Sequence, residues 1–130
     1  MERRNLLIGV IWVFIFLIMG FFMEMQMISG REVWKQNPHF GLLKAAHVYG
    51  TAFGILNIIY ALIIRSYSLQ SEKMVQVGSL LAFIAALIYP VLLFLGAFET
   101  SLMIGAPVGA VTMIISYGIL AVSLVKNSSN

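Results

Sequence analysis

Four long runs without a charged side chain constrain the fold of this chain more than any other feature. They cover residues 5–23, 45–64, 74–98 and 100–125. An α-helix needs about 20 mainly apolar residues to cross the hydrocarbon layer of a bilayer, and each run is close to that length or longer. The sequence therefore predicts an all-α integral membrane protein, an antiparallel four-helix bundle. It forms a single transmembrane domain, residues 1–130, with helices at about 5–28, 39–65, 73–98 and 104–126.

The composition excludes a soluble globular domain. Charged residues make up 10% of the chain and hydrophobic residues 61%, whereas soluble domains carry about 25% charged residues. The absence of cysteine excludes a disulfide, a thiolate ligand and a covalently attached c-type haem. A net charge of +3 is modest. In a membrane protein it indicates topology, and we predict no nucleic-acid partner.

Short connections place consecutive helices side by side and antiparallel. With the N-terminus inside, five basic residues lie on the inner side and three on the outer side. The inner set is Arg3, Arg4, Arg65, Lys73 and Lys126, and the outer set is Arg31, Lys35 and Lys44. The positive-inside rule therefore favours cytoplasmic N- and C-termini, in what we predict to be the cell membrane. Asn37 followed by Pro38 is typical of a helix start and predicts that the second helix begins beside them.

His47 lies in the second uncharged run, whose only other ionisable side chains are tyrosines. An ionisable group inside a bilayer costs free energy unless it is paired, hydrogen-bonded or coordinated, so it indicates a functional site. Apolar surroundings favour the neutral imidazole, which is a common ligand for transition metals. Two interpretations stay open: a histidine hydrogen-bonded between helices, and a metal or haem ligand.

The other histidine, His39, cannot be the second axial ligand of a haem iron bound by His47. His39 precedes His47 by eight residues, about 12 Å along a helix, so the two cannot bind opposite faces of one iron. Methionines spaced four apart on the first helix could supply a sixth ligand or could simply pack against a neighbouring helix. They are Met19, Met23 and Met27.

Small residues follow His47 along one face of the second helix. Gly50, Thr51 and Gly54 have the helical spacing of three and four. The two glycines form a Gly-x-x-x-Gly pair, which either allows close helix packing or leaves a flat surface for a planar cofactor. Lys44, on nearly the same face, could meet a cofactor carboxylate or extend to the lipid headgroups.

Two other polar residues, Glu24 and Tyr89, are expected in the same half of the membrane as His47, judged from their positions along their helices and the helix directions. Pro90 is expected to kink the third helix, to leave the carbonyl of Ala86 available to another donor, and to open a pocket beside Tyr89. The remaining buried polar groups are expected to bond to backbone or across helices. They are Thr51, Asn57, Thr112 and Ser116.

The chain resembles the small four-helix membrane proteins of the styrene oxide isomerase family. The resemblance rests on Ala45-Ala46-His47 with the helix after it, Val77-Gly78-Ser79-Leu80-Leu81, and Gly105 with Pro107. It implies haem b bound between subunits of a homotrimer, with His47 as the axial iron ligand. It also implies that the substrate is a small hydrophobic epoxide, whose ring is opened by ferric iron acting as a Lewis acid.

Two positions depart from that family. Phe53 stands where the family has an asparagine, and Asn57 lies one turn further along. Leu92 stands where the family has a tyrosine, and Tyr89 lies one turn earlier. Asn57 and Tyr89 are therefore the candidate catalytic residues, and isomerase activity does not follow from haem binding alone.

Three functions follow from these features. The leading hypothesis is a haem-b-binding membrane protein in which His47 is the axial ligand. The cofactor-binding residues would be His47, Lys44, Gly50, Thr51 and Gly54. The alternatives are a non-enzymatic accessory subunit of a larger membrane complex and a small transporter that uses Glu24 as a proton-coupled carboxylate.

Overall fold

The computed structural model of the protein describes residues 1–29, 36 and 39–128. It contains four long helices, each long and apolar enough to cross a membrane, which confirms the predicted all-α four-helix fold. The helices are α1 (Glu2–Ile28), α2 (Phe40–Ser66), α3 (Lys73–Gly96) and α4 (Ala106–Ser128). Short 3₁₀ helices at Leu69–Ser71 and Thr100–Gly105 connect α2 to α3 and α3 to α4. The predicted helix start at Asn37 and Pro38 lies outside the described residues.

The ends of the helices differ slightly from the predicted ones. α1 begins at Glu2, three residues before its predicted start at 5, because a charged residue at the membrane edge does not stop a helix. A carboxylate in the first turn also interacts favourably with the positive end of the helix dipole. Because the helices are antiparallel, α1 and α3 begin at the same end of the bundle at which α2 and α4 finish. We call it the termini end.

The main core cluster combines buried residues of α2, α3 and α4, while α1 packs mainly along α2. Tyr60, Val75 and Ala82 are fully buried at its centre. Small residues on α1 and α2 let these two helices approach closely: a Cβ atom added to Gly9 would lie 2.6 Å from the carbonyl oxygen of Gly54. The remaining surface of α1 carries large apolar side chains that face outward, as expected for a helix in contact with lipid.

Buried polar side chains tie the helices together through backbone carbonyls. The Asn5 amide donates to the Ser79 carbonyl oxygen at 3.0 Å, and the Ser79 hydroxyl returns a bond to Asn5 Oδ1 at 3.1 Å. Asn57 donates to Ala82 on α3 at 3.1 Å. The Ser116 hydroxyl donates from α4 to Gly78 on α3 at 2.7 Å. These bonds confirm the expectation for Asn57 and Ser116, since a polar group in hydrocarbon must find a partner within the protein.

Pro90 lies inside α3, and its missing N–H leaves the carbonyl of Ala86 without the usual helical donor. The indole N–H of Trp12 on α1 donates to that carbonyl oxygen. The prediction that Pro90 frees the Ala86 carbonyl for another donor is thus confirmed. The bond also fixes the register of α1 against α3.

Candidate functional site

His47 points from α2 toward α1, where its ring is held by one backbone contact. Its Nδ1 lies 2.5 Å from the carbonyl oxygen of Phe16. A carbonyl oxygen can only accept a hydrogen bond, so in this contact Nδ1 carries the proton. In the neutral imidazole Nε2 then has the free lone pair. A histidine that ligates a metal usually has this arrangement, with its other ring nitrogen donating to a carbonyl or a carboxylate.

Gly20 on α1 provides the space that the imidazole occupies. A Cβ atom at Gly20 would lie 2.2 Å from Cε1 of His47 and 2.6 Å from Nε2. Any side chain at this position would therefore displace the ring. Sequence reasoning missed both Gly20 and Phe16 as partners of His47. The signal was present, because Gly9, Phe16 and Gly20 follow one helical face at spacings of seven and four residues.

His47 lines a cleft of about 330 Å³ between α1 and α2. The cleft brings His47 together with Glu24, which was predicted at the same level, and with Lys44, which was predicted on nearly the same face of the second helix. Both of these side chains are exposed. Its other walls are Gly20, Met23, Met27 and Phe40. The site is thus a mainly apolar cleft with one imidazole, one ammonium group and one carboxylate.

The small-residue face of α2 is covered by α1. A Cβ atom at Gly50 would lie 2.2 Å from the Phe16 ring, and one at Gly54 would lie 2.9 Å from the Gly9 carbonyl oxygen. The Thr51 hydroxyl donates to the carbonyl oxygen of His47 in its own helix at 3.0 Å. Gly50, Thr51 and Gly54 therefore lie outside the His47 cleft, and within one chain a helix occupies the surface on which we predicted a planar cofactor.

Tyr89 faces a different part of the bundle. Its ring stacks on Phe53 with centroids 4.9 Å apart and meets Tyr49 edge-on at 5.1 Å. It lines a separate apolar cavity of about 290 Å³ between α3 and the start of α4, so a cavity does adjoin the Pro90 segment as predicted. That cavity does not include His47.

Asn57 is also remote from the cleft. It is fully buried and lies ten residues beyond His47, about 15 Å along α2. Its amide nitrogen donates to the carbonyls of Phe53 and Ala82. Its Oδ1 has no hydrogen-bond partner among the described residues. The two candidate catalytic residues therefore do not share a site with His47 within one chain.

A porphyrin-bound iron needs fewer protein ligands than a bare metal ion. In the described part of the chain, no group of three or more histidine, cysteine, aspartate or glutamate side chains could hold an ion. A porphyrin brings four equatorial nitrogens of its own and needs one axial protein ligand. The 330 Å³ cleft lies near the lower limit of ligand pockets. It would enclose only part of a porphyrin, and the rest would extend beyond the chain.

Comparisons with protein-family models, curated proteins and solved structures yield no match for this chain. The resemblance to the styrene oxide isomerase family stays a prediction, and the geometry of the cleft carries the functional conclusion.

Proposed function

We propose that this integral membrane protein binds haem b, with Nε2 of His47 as the axial ligand of the iron. The hydrogen bond from Nδ1 to the Phe16 carbonyl carries the proposal. It fixes the ring orientation and the tautomer, so that the remaining nitrogen is the one with a lone pair.

The alternative interpretation, a histidine that only joins two helices, leaves Nε2 unexplained. His47 makes its polar contact through Nδ1, and Nε2 bonds to none of the described residues. A ring nitrogen without a protein partner can bond to a bound ligand. Coordination to iron would supply that partner, and the partial exposure of the ring toward the cleft leaves room for it.

The other residues of the cleft have separate roles in this proposal. Gly20 leaves the space for the ring, and Lys44, which lines the cleft and is exposed, would pair with a haem propionate. Bound haem would supply an iron centre for Lewis-acid or redox chemistry. The part of the porphyrin outside the cleft would be covered by lipid or by a second copy of the chain, as in the homotrimer that the resemblance implies.

Epoxide isomerisation is the narrower form of the proposal. A small hydrophobic epoxide would suit an apolar cleft beside an iron, but Tyr89 and Asn57 lie outside the His47 cleft. We therefore assign these two residues no part in binding the haem. An isomerase reaction would therefore use other groups beside the iron.

Titration of the purified protein with ferric haem in detergent tests haem binding. We expect a Soret band that saturates at one haem per cleft, because one imidazole is available in each. Addition of excess imidazole should shift the band if the second axial position is open. A folded protein whose absorbance is the same as that of haem in empty detergent micelles would overturn the proposal.

The charge distribution supports cytoplasmic N- and C-termini. Five basic residues lie at the termini end of the bundle, whereas the sequence from the end of α1 to the first turns of α2 carries three, Arg31, Lys35 and Lys44. Because the chain has no cysteine, one introduced at Ser128 can be labelled selectively. We expect a membrane-impermeant maleimide to leave this cysteine unlabelled in intact cells and to label it after lysis. Labelling before lysis would place the termini outside.

A further inference from the structure

A second groove lies between α1 and α3 at the termini end, far from His47. Its volume is about 490 Å³. It is lined by Met1, Arg4, Lys73, Gln76, Val77 and Leu80. Two of these side chains are cationic and none is a carboxylate, so the groove is a region of positive charge at the membrane edge.

The guanidinium group of Arg4 is only partly satisfied. Its Cζ lies 4.9 Å from the centroid of the Phe83 ring, and its Nη2 lies 3.5 Å from the Ser79 hydroxyl. Nε is buried and has no hydrogen-bond partner among the described residues. Arginine has five N–H donors, and the described residues accept a hydrogen bond from one of its nitrogens, Nη2. A partly desolvated cation with so few bonds is stabilised by an anion.

The acidic residues of this end line other grooves. Glu2 lies beside Arg3 and Arg65 in a groove between α1 and α2. Glu72 lies beside Lys73 and Lys126 in a groove between α3 and α4. No carboxylate of the described residues lines the α1–α3 groove itself.

The wall of the groove becomes apolar toward the membrane interior. Val77 and Leu80 follow Lys73 at spacings of four and seven residues along one face of α3, and they are 54% and 43% exposed. A ligand that fits must be anionic at the membrane edge and apolar below it. Anionic glycerophospholipids have this shape, and basic pockets between transmembrane helices bind their headgroups.

We infer that the α1–α3 groove binds an anionic glycerophospholipid. The headgroup phosphate lies between Arg4 and Lys73, and an acyl chain follows Val77 and Leu80. The inference is independent of haem, because no residue of this groove lines the His47 cleft.

Native mass spectrometry of the detergent-solubilised protein tests this inference. The probes are phosphatidylglycerol and phosphatidylcholine with the same acyl chains. We expect phosphatidylglycerol to bind at least tenfold more tightly. Lys73→Gln should weaken its binding about fivefold, the effect of removing one basic residue near a membrane surface. Adding Arg4→Gln should remove the preference.

Arg3→Gln is the matched control, because it makes the same charge change at the same end but in the groove that contains Glu2 and Arg65. It should leave the preference for phosphatidylglycerol intact. Lys73 is exposed, so Lys73→Gln keeps the test valid if Arg4→Gln does not fold. Equal binding of the two lipids would overturn the inference. So would millimolar inorganic phosphate that displaces phosphatidylglycerol, since it would indicate a site for free phosphate.

Discussion

His47→Ala is expected to abolish the haem Soret band, whereas His39→Ala retains it. His47 lines the cleft. His39 precedes α2, stacks on Phe98 with ring centroids 6.4 Å apart and does not line the cleft. Both substitutions remove one imidazole, so nonspecific uptake of haem would respond equally to them. The measurement is a haem titration followed by absorbance, with helicity checked by circular dichroism.

Rescue separates loss of a ligand from loss of structure. The cavity left by His47→Ala should accept free imidazole, which is expected to restore a Soret band in that variant. Tyr89→Phe serves as a second control, because Tyr89 lies in the other cavity and the substitution keeps its stacking on Phe53. An unchanged Soret band in folded His47→Ala would contradict the assignment of His47.

Gly20→Ala extends this prediction from the ligand to its support. The new Cβ would lie 2.2 Å from Cε1 of His47, so the ring must move away from the Phe16 carbonyl. Loss of the partner that orients a metal ligand typically weakens metal affinity by about 10- to 100-fold. We expect a decrease in that range. Gly118→Ala is the matched control, since a Cβ there meets nothing within 4 Å.

Hydropathy was sufficient to predict the four helices. Run length and the absence of charge are local properties, and a bilayer admits few backbone arrangements other than a helix. The sequence also predicted that the Ala86 carbonyl would be available to a donor outside its own helix, because proline always removes the same hydrogen bond. Its identity as Trp12 was not, since that depends on the register of α1 against α3.

The rotation of each helix about its axis could not be read from one chain. A face of small residues on α2 can pack against a second helix or against a planar cofactor. Only the contact of Phe16 with Gly50 shows that α1 occupies this face. Tyr89 illustrates the same difficulty. Its level in the membrane was inferred from helix direction, but its side chain points toward Phe53 rather than toward the His47 cleft. Level follows from sequence position, whereas direction follows from packing.

Gly54→Ala is expected to lower the free energy of unfolding by about 1–3 kcal/mol, as overpacking typically does. Its Cβ would lie 2.9 Å from the Gly9 carbonyl oxygen and 3.0 Å from the Val13 backbone nitrogen. Backbone atoms cannot rotate away, so α1 and α2 must separate. Gly118→Ala is the control and should be neutral or stabilising, because alanine in a helix is favoured over glycine. Unfolding by sodium dodecyl sulfate in mixed micelles measures both.

The same substitution should also weaken haem binding. The α1 stripe of Gly9, Val13, Phe16 and Gly20 contacts α2 along its length, so a displacement at Gly54 moves the Phe16 carbonyl away from His47. Gly9→Ala should have a similar effect. The double variant should lose less stability than the sum of the two single losses, because both substitutions break the same contact between Gly9 and Gly54. If Gly54→Ala lowers stability without changing the haem titration, the orientation of His47 does not depend on this packing.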